Sequence, residues 1–188
     1  MPRIFVAIPL PPDVASALAR AIPSSPALRA VAPELLHVTL VFVGALPEGR
    51  VGEVTAAAAA AGGTPFTVTL GPLGRFPPSG SPTVVWAGLG TAAADVEQLG
   101  ARLRKELARR NVPFDRKPLQ PHVTLARVRE RAGPAEVAAV ASALGGTAIS
   151  SGLSFQADAI HVMESALGRG GPRYTTRSEL PLRDIRRV

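Results

Sequence analysis

The tetrapeptide His-Val-Thr-Leu occurs twice in this chain, at residues 37–40 and again, 85 positions further on, at residues 122–125. Each copy lies within a run of apolar and β-branched residues, which is typical of a buried strand. Because side chains alternate between the two faces of a strand, the His and the Thr of each copy point the same way, while the Val and the Leu point the other way. Each copy therefore offers one imidazole and one hydroxyl from a rigid strand.

The elements around the two copies follow one another in the same order, which is strand, helix, strand and helix. In the first half they are predicted over residues 4–10, 13–22 (with Asp13 as N-cap), 35–43 and 51–61. In the second half they are predicted over residues 83–89, 92–110, 122–128 and 134–144. Further strands are predicted over residues 66–70, 155–163 and 174–182. The match between the halves predicts a divergent internal duplication.

Strands that alternate with helices would also fit a parallel, doubly wound sheet. A duplicated β-α-β unit with additional hairpin strands favours an antiparallel α+β fold instead. We therefore predict a single domain over residues 1–188, built from two pseudo-symmetric lobes. Each lobe carries an antiparallel sheet flanked by helices, and a central cleft lies between the two sheets.

The composition narrows the function classes further. Apolar residues make up 46% of the chain, which excludes wholesale disorder, and the absence of cysteine excludes disulfides and thiolate chemistry. The apolar run at residues 4–10 is too short to span a bilayer, so a soluble cytoplasmic protein is expected. A net charge of +7, carried by arginine at all basic positions except Lys105 and Lys117, fits a polyanionic partner. A compositional bias of the genome would produce the same charge, so charge alone does not identify that partner.

Two of the three histidines of the chain lie in the repeated tetrapeptides. If the halves pack about a pseudo-twofold axis, one cleft receives His37 and Thr39 from the first half and His122 and Thr124 from the second. A purely structural core would favour Val or Ile at these positions, so their repetition indicates a site. One imidazole can accept a proton while the other donates one, and the hydroxyls can bind an oxyanion. This combination suits a phosphodiester. His161 has no matching motif and is interpreted as an ordinary strand residue.

Other uses of these residues fit less well. A catalytic zinc ion commonly takes three protein ligands, and the nearest carboxylates, Glu34 and Asp115, precede the two strands in loops. No Gly-x-Ser-x-Gly nucleophile motif occurs, and the glycines at residues 168–171 lack the strand-to-helix setting of a phosphate-binding loop. We expect neither a metal nor a cofactor.

The sequence resembles the two-histidine (2H) phosphoesterases, in particular the bacterial and archaeal RNA 2′,3′-cyclic phosphodiesterases, historically called 2′-5′ RNA ligases. The resemblance covers nearly the whole chain and is carried by HVTLVFVG at residues 37–44, GRFP at 74–77, PHVTLAR at 121–127 and GPRY at 171–174. It implies metal-independent hydrolysis of RNA or nucleoside 2′,3′-cyclic phosphates to 2′-phosphates. It also implies a weak, reversible 2′-5′ ligation at the same site.

Transferred residue by residue, the resemblance implies that His37 and His122 are the catalytic pair and that Thr39 and Thr124 hold the phosphoryl oxygens. We favour His122 as the base that activates water and His37 as the acid that protonates the departing O3′. Two near-equivalent imidazoles can exchange these roles, so the reverse order stays open.

The same resemblance assigns substrate contacts to Arg127, Phe42, Phe5 and Tyr174. Strict alternation along the strands puts Phe42 and Arg127 on the faces away from the histidines. Their participation therefore requires a twist or a bulge in each strand; otherwise they act from the rim or the core. Phe5 also fits a place in the core.

Two further functions stay open at this stage. One is an RNA-end binding module without significant turnover, although such a module could lose a catalytic histidine and both are present here. The other is a phosphodiesterase that acts on 2′-5′ oligonucleotides or on small cyclic nucleotide derivatives. A monomer is expected, because the pseudo-twofold axis lies within one chain.

Overall fold

The structure is a computed structural model that describes residues 1–146, 152–168 and 171–183. It contains nine strands and four α-helices within those residues. Their bounds are β1 Arg3–Pro9, α1 Pro12–Arg20, β2 Leu28–Ala30, β3 His37–Ala45, α2 Val51–Ala61, β4 Phe66–Phe76, β5 Val84–Leu89, α3 Ala93–Arg109, β6 His122–Val128, α4 Pro134–Gly146, β7 Ser154–Ala157, β8 Ala159–Gly168 and β9 Gly171–Pro181.

The strands form one curled sheet in which the neighbouring strands pair antiparallel. The order is β7-β4-β5-β6-β3-β1-β8-β9, and the short β2 pairs with β6. The predicted antiparallel α+β class is therefore confirmed. The two predicted sheets meet edge to edge, because β3 and β6 are joined by the Cα pair Val38–Val123.

This junction has the symmetry expected of a repeat. Val38 and Val123 are the second residues of the two tetrapeptides, and they lie directly opposite each other in an antiparallel pair. Such a pairing requires a local twofold axis through the junction. On either side of the axis the strands continue outward in a matched way, β3 to β1 and β8, and β6 to β5 and β4. The register supports the duplication, which stays a prediction.

Both central strands carry a β-bulge at the same motif position. The pairing of β3 with β1 passes from Thr39–Ala7 to Val41–Val6, so Leu40 has no partner in β1. The pairing of β6 with β5 passes from Thr124–Trp86 to Ala126–Val85, so Leu125 is the extra residue. Each bulge follows the histidine and the threonine and reverses the alternation of faces beyond it.

One hydrophobic core serves both halves. A single cluster of buried side chains runs from Ile4 to Leu182 and takes members from β1, β3, β5 and β6 and from α1, α2 and α3. The helix α3 contributes Val96, Leu99, Leu103 and Leu107, whose spacing of three and four residues places them on one face of the helix.

Helices α2 and α3 are tied to each other by two arginines. The guanidinium of Arg50, beside the start of α2, donates to the carbonyls of Arg110 and Asn111 at the end of α3. The guanidinium of Arg102, on α3, donates to the carbonyls of Ala61 and Gly62 at the end of α2. A cation at a helix C-terminus satisfies free carbonyls and complements the helix dipole. The contacts join the first half of the chain to the second.

Several predicted elements need correction. The strand predicted over residues 155–163 is two strands, β7 and β8, which separate at Asp158 and pair with β4 and β1 respectively. Asp13 is not the N-cap: Pro11 occupies that position, and Asp13 lies in the first turn of α1. The strand β4 extends well beyond the predicted residues 66–70, because its pairing with β5 continues after a register shift. The short strand β2 is not among the predicted elements.

No helix in the described residues is both long enough and apolar enough to cross a membrane.

Candidate active site

The two repeated histidines lie where β3 and β6 meet. They are the first residues of their strands and immediately precede the opposed pair Val38–Val123. Continuing the antiparallel register by one residue in each direction sets His37 beside Thr124 and His122 beside Thr39. Side chains at such opposite positions lie on the same face and in reach of one another. The structure therefore brings the four predicted side chains to one place.

Each imidazole is oriented by the same local hydrogen bond. The Nδ1–H of His37 donates to the carbonyl of Leu35 at 2.7 Å, and the Nδ1–H of His122 donates to the carbonyl of Gln120 at 2.6 Å. A carbonyl oxygen can only accept, so both rings carry a proton on Nδ1. The Nε2 atom therefore has a free lone pair when the ring is neutral and carries the exchangeable proton when the ring is charged.

The surroundings bias both rings towards the neutral form. Burial lowers the pKa of His37, the bond to Leu35 partly offsets this, and the nearby His122 lowers it further. Burial also lowers the pKa of His122; the bond to Gln120 opposes this change, and the positive charge of Arg127 adds to it. A cation thus acts directly on His122 and favours its neutral state, in which Nε2 can accept a proton.

Two aromatic rings, from β1 and β9, lie beside His37. The ring of Phe5 lies 5.1 Å from the imidazole and the ring of Tyr174 lies 5.4 Å from it, in an edge-on orientation. Phe5 is only 3% exposed and belongs to a small apolar cluster with Ala7 and Met163. Its ring therefore packs against the imidazole and leaves little surface for a nucleobase. This agrees with the alternative prediction that Phe5 lies in the core.

Two further aromatic rings lie beside His122, and neither residue is among the predicted site residues. The ring of Phe76 lies 5.1 Å from the imidazole, and the ring of Trp86 lies 6.1 Å from it. Trp86 is paired with Thr124, and the glycine at position 74 leaves the space that the indole ring occupies. The register of the β4–β5 hairpin would have revealed both residues, but the bulges make that register hard to read from sequence.

The two bulges bring Phe42 and Arg127 to the histidine face. Both residues follow their histidine by five positions, and both are exposed, Phe42 to 54%. The ring of Phe42 lies 6.1 Å from that of Phe5. Burial lowers the pKa of His122 and raises that of Tyr174, and the charge of Arg127 adds to the first change and opposes the second. The contradiction with strict alternation disappears because each strand gains one residue before these positions.

Metal coordination finds no support in the part of the chain that the structure describes. His, Asp and Glu side chains form no group of three or more there that could hold a metal ion.

The antiparallel α+β fold is similar to that of the two-histidine phosphoesterases. The family model described as "2'-5' RNA ligase superfamily" matches residues 9–169. The chain belongs to this superfamily, which confirms the resemblance inferred from the repeated tetrapeptides.

Individual relatives agree with this assignment. The chain is 31% identical over 195 aligned residues to an RNA 2′,3′-cyclic phosphodiesterase from Thermus thermophilus, and the alignment covers 96% of this chain and 90% of the relative. It also superposes on the crystal structure of a protein from T. thermophilus with a TM-score of 0.80 and 27% identity, covering 97% of this chain and 99% of the other. The structure of Escherichia coli LigT complexed with 3′-AMP gives a TM-score of 0.76 and 26% identity, with 97% and 99% coverage.

Proposed function

We propose that the protein is a metal-independent RNA 2′,3′-cyclic phosphodiesterase that converts cyclic phosphate ends to 2′-phosphates. One observation carries the proposal: two imidazoles from matched, neighbouring strands share the same Nδ1 anchor and lie close enough for His122 to contribute to the lowered pKa of His37. The activity named for the T. thermophilus relative supports the choice of substrate.

In the proposed reaction, Nε2 of neutral His122 takes a proton from water as the oxygen attacks phosphorus. The bond between phosphorus and O3′ breaks on the opposite side, and Nε2–H of charged His37 donates its proton to the departing O3′. The product keeps the phosphate on O2′. Burial lowers the pKa of both rings, and added positive charge acts on both, from His122 on His37 and from Arg127 on His122, so this order of roles rests on the family resemblance.

The remaining polar groups act on the charge that develops on phosphorus. The hydroxyls of Thr39 and Thr124 donate hydrogen bonds to its non-bridging oxygens, and the guanidinium of Arg127 supplies a fixed positive charge. Groups that are already oriented in a partly buried site stabilise such a transition state strongly, because little reorganisation is needed. By microscopic reversibility the same groups catalyse a weak 2′-5′ ligation.

The exposed ring of Phe42 and the half-exposed ring of Tyr174 serve as platforms for a nucleobase. Stacking of this kind is typical of proteins that bind unpaired RNA. Because both histidines come from one chain, the proposed active form is a monomer whose partner is an RNA or nucleotide end.

The proposal is tested by incubating the protein with nucleoside 2′,3′-cyclic phosphates and cyclic-phosphate-ended RNA in excess EDTA. Phosphorus NMR or chromatography identifies the product, and a 2′-phosphate is expected. A 3′-phosphate product, or a requirement for a metal ion, contradicts the mechanism. RNA binding without turnover identifies a binding module, and turnover restricted to 2′-5′ linkages identifies another substrate.

A further inference from the structure

A pocket of about 190 Å³ opens beside His122, between β3, α3 and the segment that leads into β6. One wall consists of Thr39 and His122, which belong to the candidate active site, and the aromatic residues Phe42 and Phe76 also line it. The pocket is therefore continuous with the place proposed for the reacting phosphate. The rest of its lining takes no part in the chemistry described above.

The far wall of the pocket carries unpaired positive charge. Arg104, on α3, and Lys117, in the segment before β6, both line it. The Nε atom of Arg104 is buried without a hydrogen-bond partner. Neither side chain forms an ion pair within the residues that the structure describes. The carboxylate of Asp115, also in the lining, accepts the backbone N–H of Lys117 at 3.0 Å. Two cations against one carboxylate favour an anion in this pocket, because a partly buried guanidinium without an acceptor is costly.

The backbone differs at the position related by the pseudo-twofold axis. There the strand β2 pairs along β6, from Leu28–Val128 to Ala30–Ala126, and the N–H of Val31 donates to the carbonyl of Leu125. Beside β3 the corresponding segment does not pair as a strand; it is held by a bond from the N–H of Asp115 to the carbonyl of Phe42. The segment that borders the pocket thus departs from the symmetry of the fold.

We propose that this pocket holds the phosphodiester on the 5′ side of the reacting nucleotide, with Arg104 and Lys117 as its ligands. The inference rests on the proposed function and extends it: the substrate is the 3′ end of an RNA chain of at least two nucleotides. A pocket of this size accepts a phosphate group with part of its ribose and is smaller than a typical site for a whole organic ligand. The shared wall of Thr39 and His122 keeps the two phosphates of neighbouring nucleotides in adjacent places.

The test compares two substrates, adenosine 2′,3′-cyclic phosphate and the dinucleotide ApA with the same cyclic end. Arg104→Gln and Lys117→Gln should each lower kcat/KM for the dinucleotide about tenfold more than for the mononucleotide, the scale of one charge-assisted hydrogen bond. The neighbouring exposed cations supply matched controls, and Lys105→Gln and Arg116→Gln should change neither value. Lys117 is exposed, so its variant tests the proposal even if Arg104→Gln weakens folding.

A dinucleotide with an uncharged methylphosphonate linkage makes the test sharper. The wild-type protein should lose about tenfold in kcat/KM on this substrate relative to ApA, whereas the Lys117→Gln variant should lose much less, because its partner charge is already gone. Two results would overturn the proposed subsite. One is an equal loss of kcat/KM on the mononucleotide and the dinucleotide in both variants. The other is an effect of the uncharged linkage that is as large in Lys117→Gln as in the wild-type protein. If the wild-type protein hydrolyses neither cyclic substrate, the proposed function itself has failed.

Discussion

The half of the molecule that carries His37 and the half that carries His122 have matching backbone features at their motifs, but they differ in the side chains beside the histidines. Both hold the imidazole by an Nδ1 bond to the carbonyl two residues earlier, and both place a bulge on the fourth motif residue. At the next exposed position the first half presents Phe42 and the second presents Arg127. The same backbone device thus delivers an aromatic ring to one side of the cleft and a cation to the other.

The comparison shows that the two halves keep the Nδ1 anchor and the bulge but differ in the residue five positions after the histidine. The anchor and the bulge fix where Nε2 and the fifth following residue point, and both halves need them. Burial is the main cause of the lowered pKa of both histidines, but the added positive charge comes from the guanidinium of Arg127 at His122 and from the imidazole of His122 at His37. Two similar imidazoles can therefore take different roles.

Removal of either imidazole should cause the greatest loss of activity. His37→Ala and His122→Ala should each lower kcat for a nucleoside 2′,3′-cyclic phosphate by about 10²–10⁴-fold, the usual contribution of general acid–base catalysis. The double variant should lose little more than the worse single variant, because an acid and a base that act in one step are not additive. Steady-state kinetics in EDTA provide the measurement.

The third histidine provides the control for these variants. His161 lies on β8 near Glu179, and His161→Gln should keep nearly full activity. Wild-type turnover in both single variants of the repeated histidines would rule out the paired mechanism.

The next largest effect concerns the cation that only the second half carries. Arg127→Gln should lower kcat by about 10²–10³-fold, the cost of removing one group that stabilises the transition-state oxyanion. Arg127→Lys should recover part of the loss, because it keeps the charge without the forked geometry. A rise in KM at unchanged kcat would instead give Arg127 a role in substrate binding alone.

The matching change in the first half should affect binding rather than chemistry. Phe42→Leu should raise KM by about 5- to 100-fold and leave kcat nearly unchanged, because base stacking contributes roughly 1–3 kcal/mol per base. Leu167, the other strongly exposed apolar side chain of the sheet, gives a control in Leu167→Ala. If Phe42→Leu lowers kcat alone, the ring positions His37 and does not bind a base.

The smallest effect, a shift in the pH profile, sharpens the assignment of roles. The lowered pKa of both histidines predicts that kcat/KM already falls with rising pH below about 6.5, the ordinary value for histidine, because the acid loses its proton there. Removing the charge of Arg127 should raise the pKa of His122. If His122 is the base, the acidic limb of the profile moves to higher pH in Arg127→Gln; movement of the basic limb would reverse the roles.

The sequence predicted the parts of the site that repeat. The bounds of β6 and α2 agree with the structure, since each has a clear apolar pattern and a defined end. The structure also brings the two histidines and two threonines together, because a duplicated motif on a strand leaves few other arrangements. A bulge in each strand is one of the explanations that the sequence offers for how Phe42 and Arg127 reach the histidine face. In β3, the two consecutive buried apolar residues Leu40 and Val41 indicate where the alternation of faces changes.

The parts that sequence did not reveal depend on contacts between distant segments. Phe76 and Trp86 reach His122 through the register of a hairpin that is itself irregular. Arg104 meets the site only because α3 packs on β3, and glycine at position 100 allows Leu119 to approach that helix closely. Local propensity carries no information about such meetings.

The paired arginines of α2 and α3 have a consequence for the chemistry on the other side of the sheet. In the described residues, β3 and β6 share the single registered pair Val38–Val123, and β2 adds three further pairs between the first half of the chain and β6. Arg50 and Arg102 connect the two halves through the helices, because Arg50 binds carbonyls at the end of α3 and Arg102 binds carbonyls at the end of α2. If the reaction proceeds as proposed, these contacts between the helices help to hold the two histidine-bearing strands at a fixed separation.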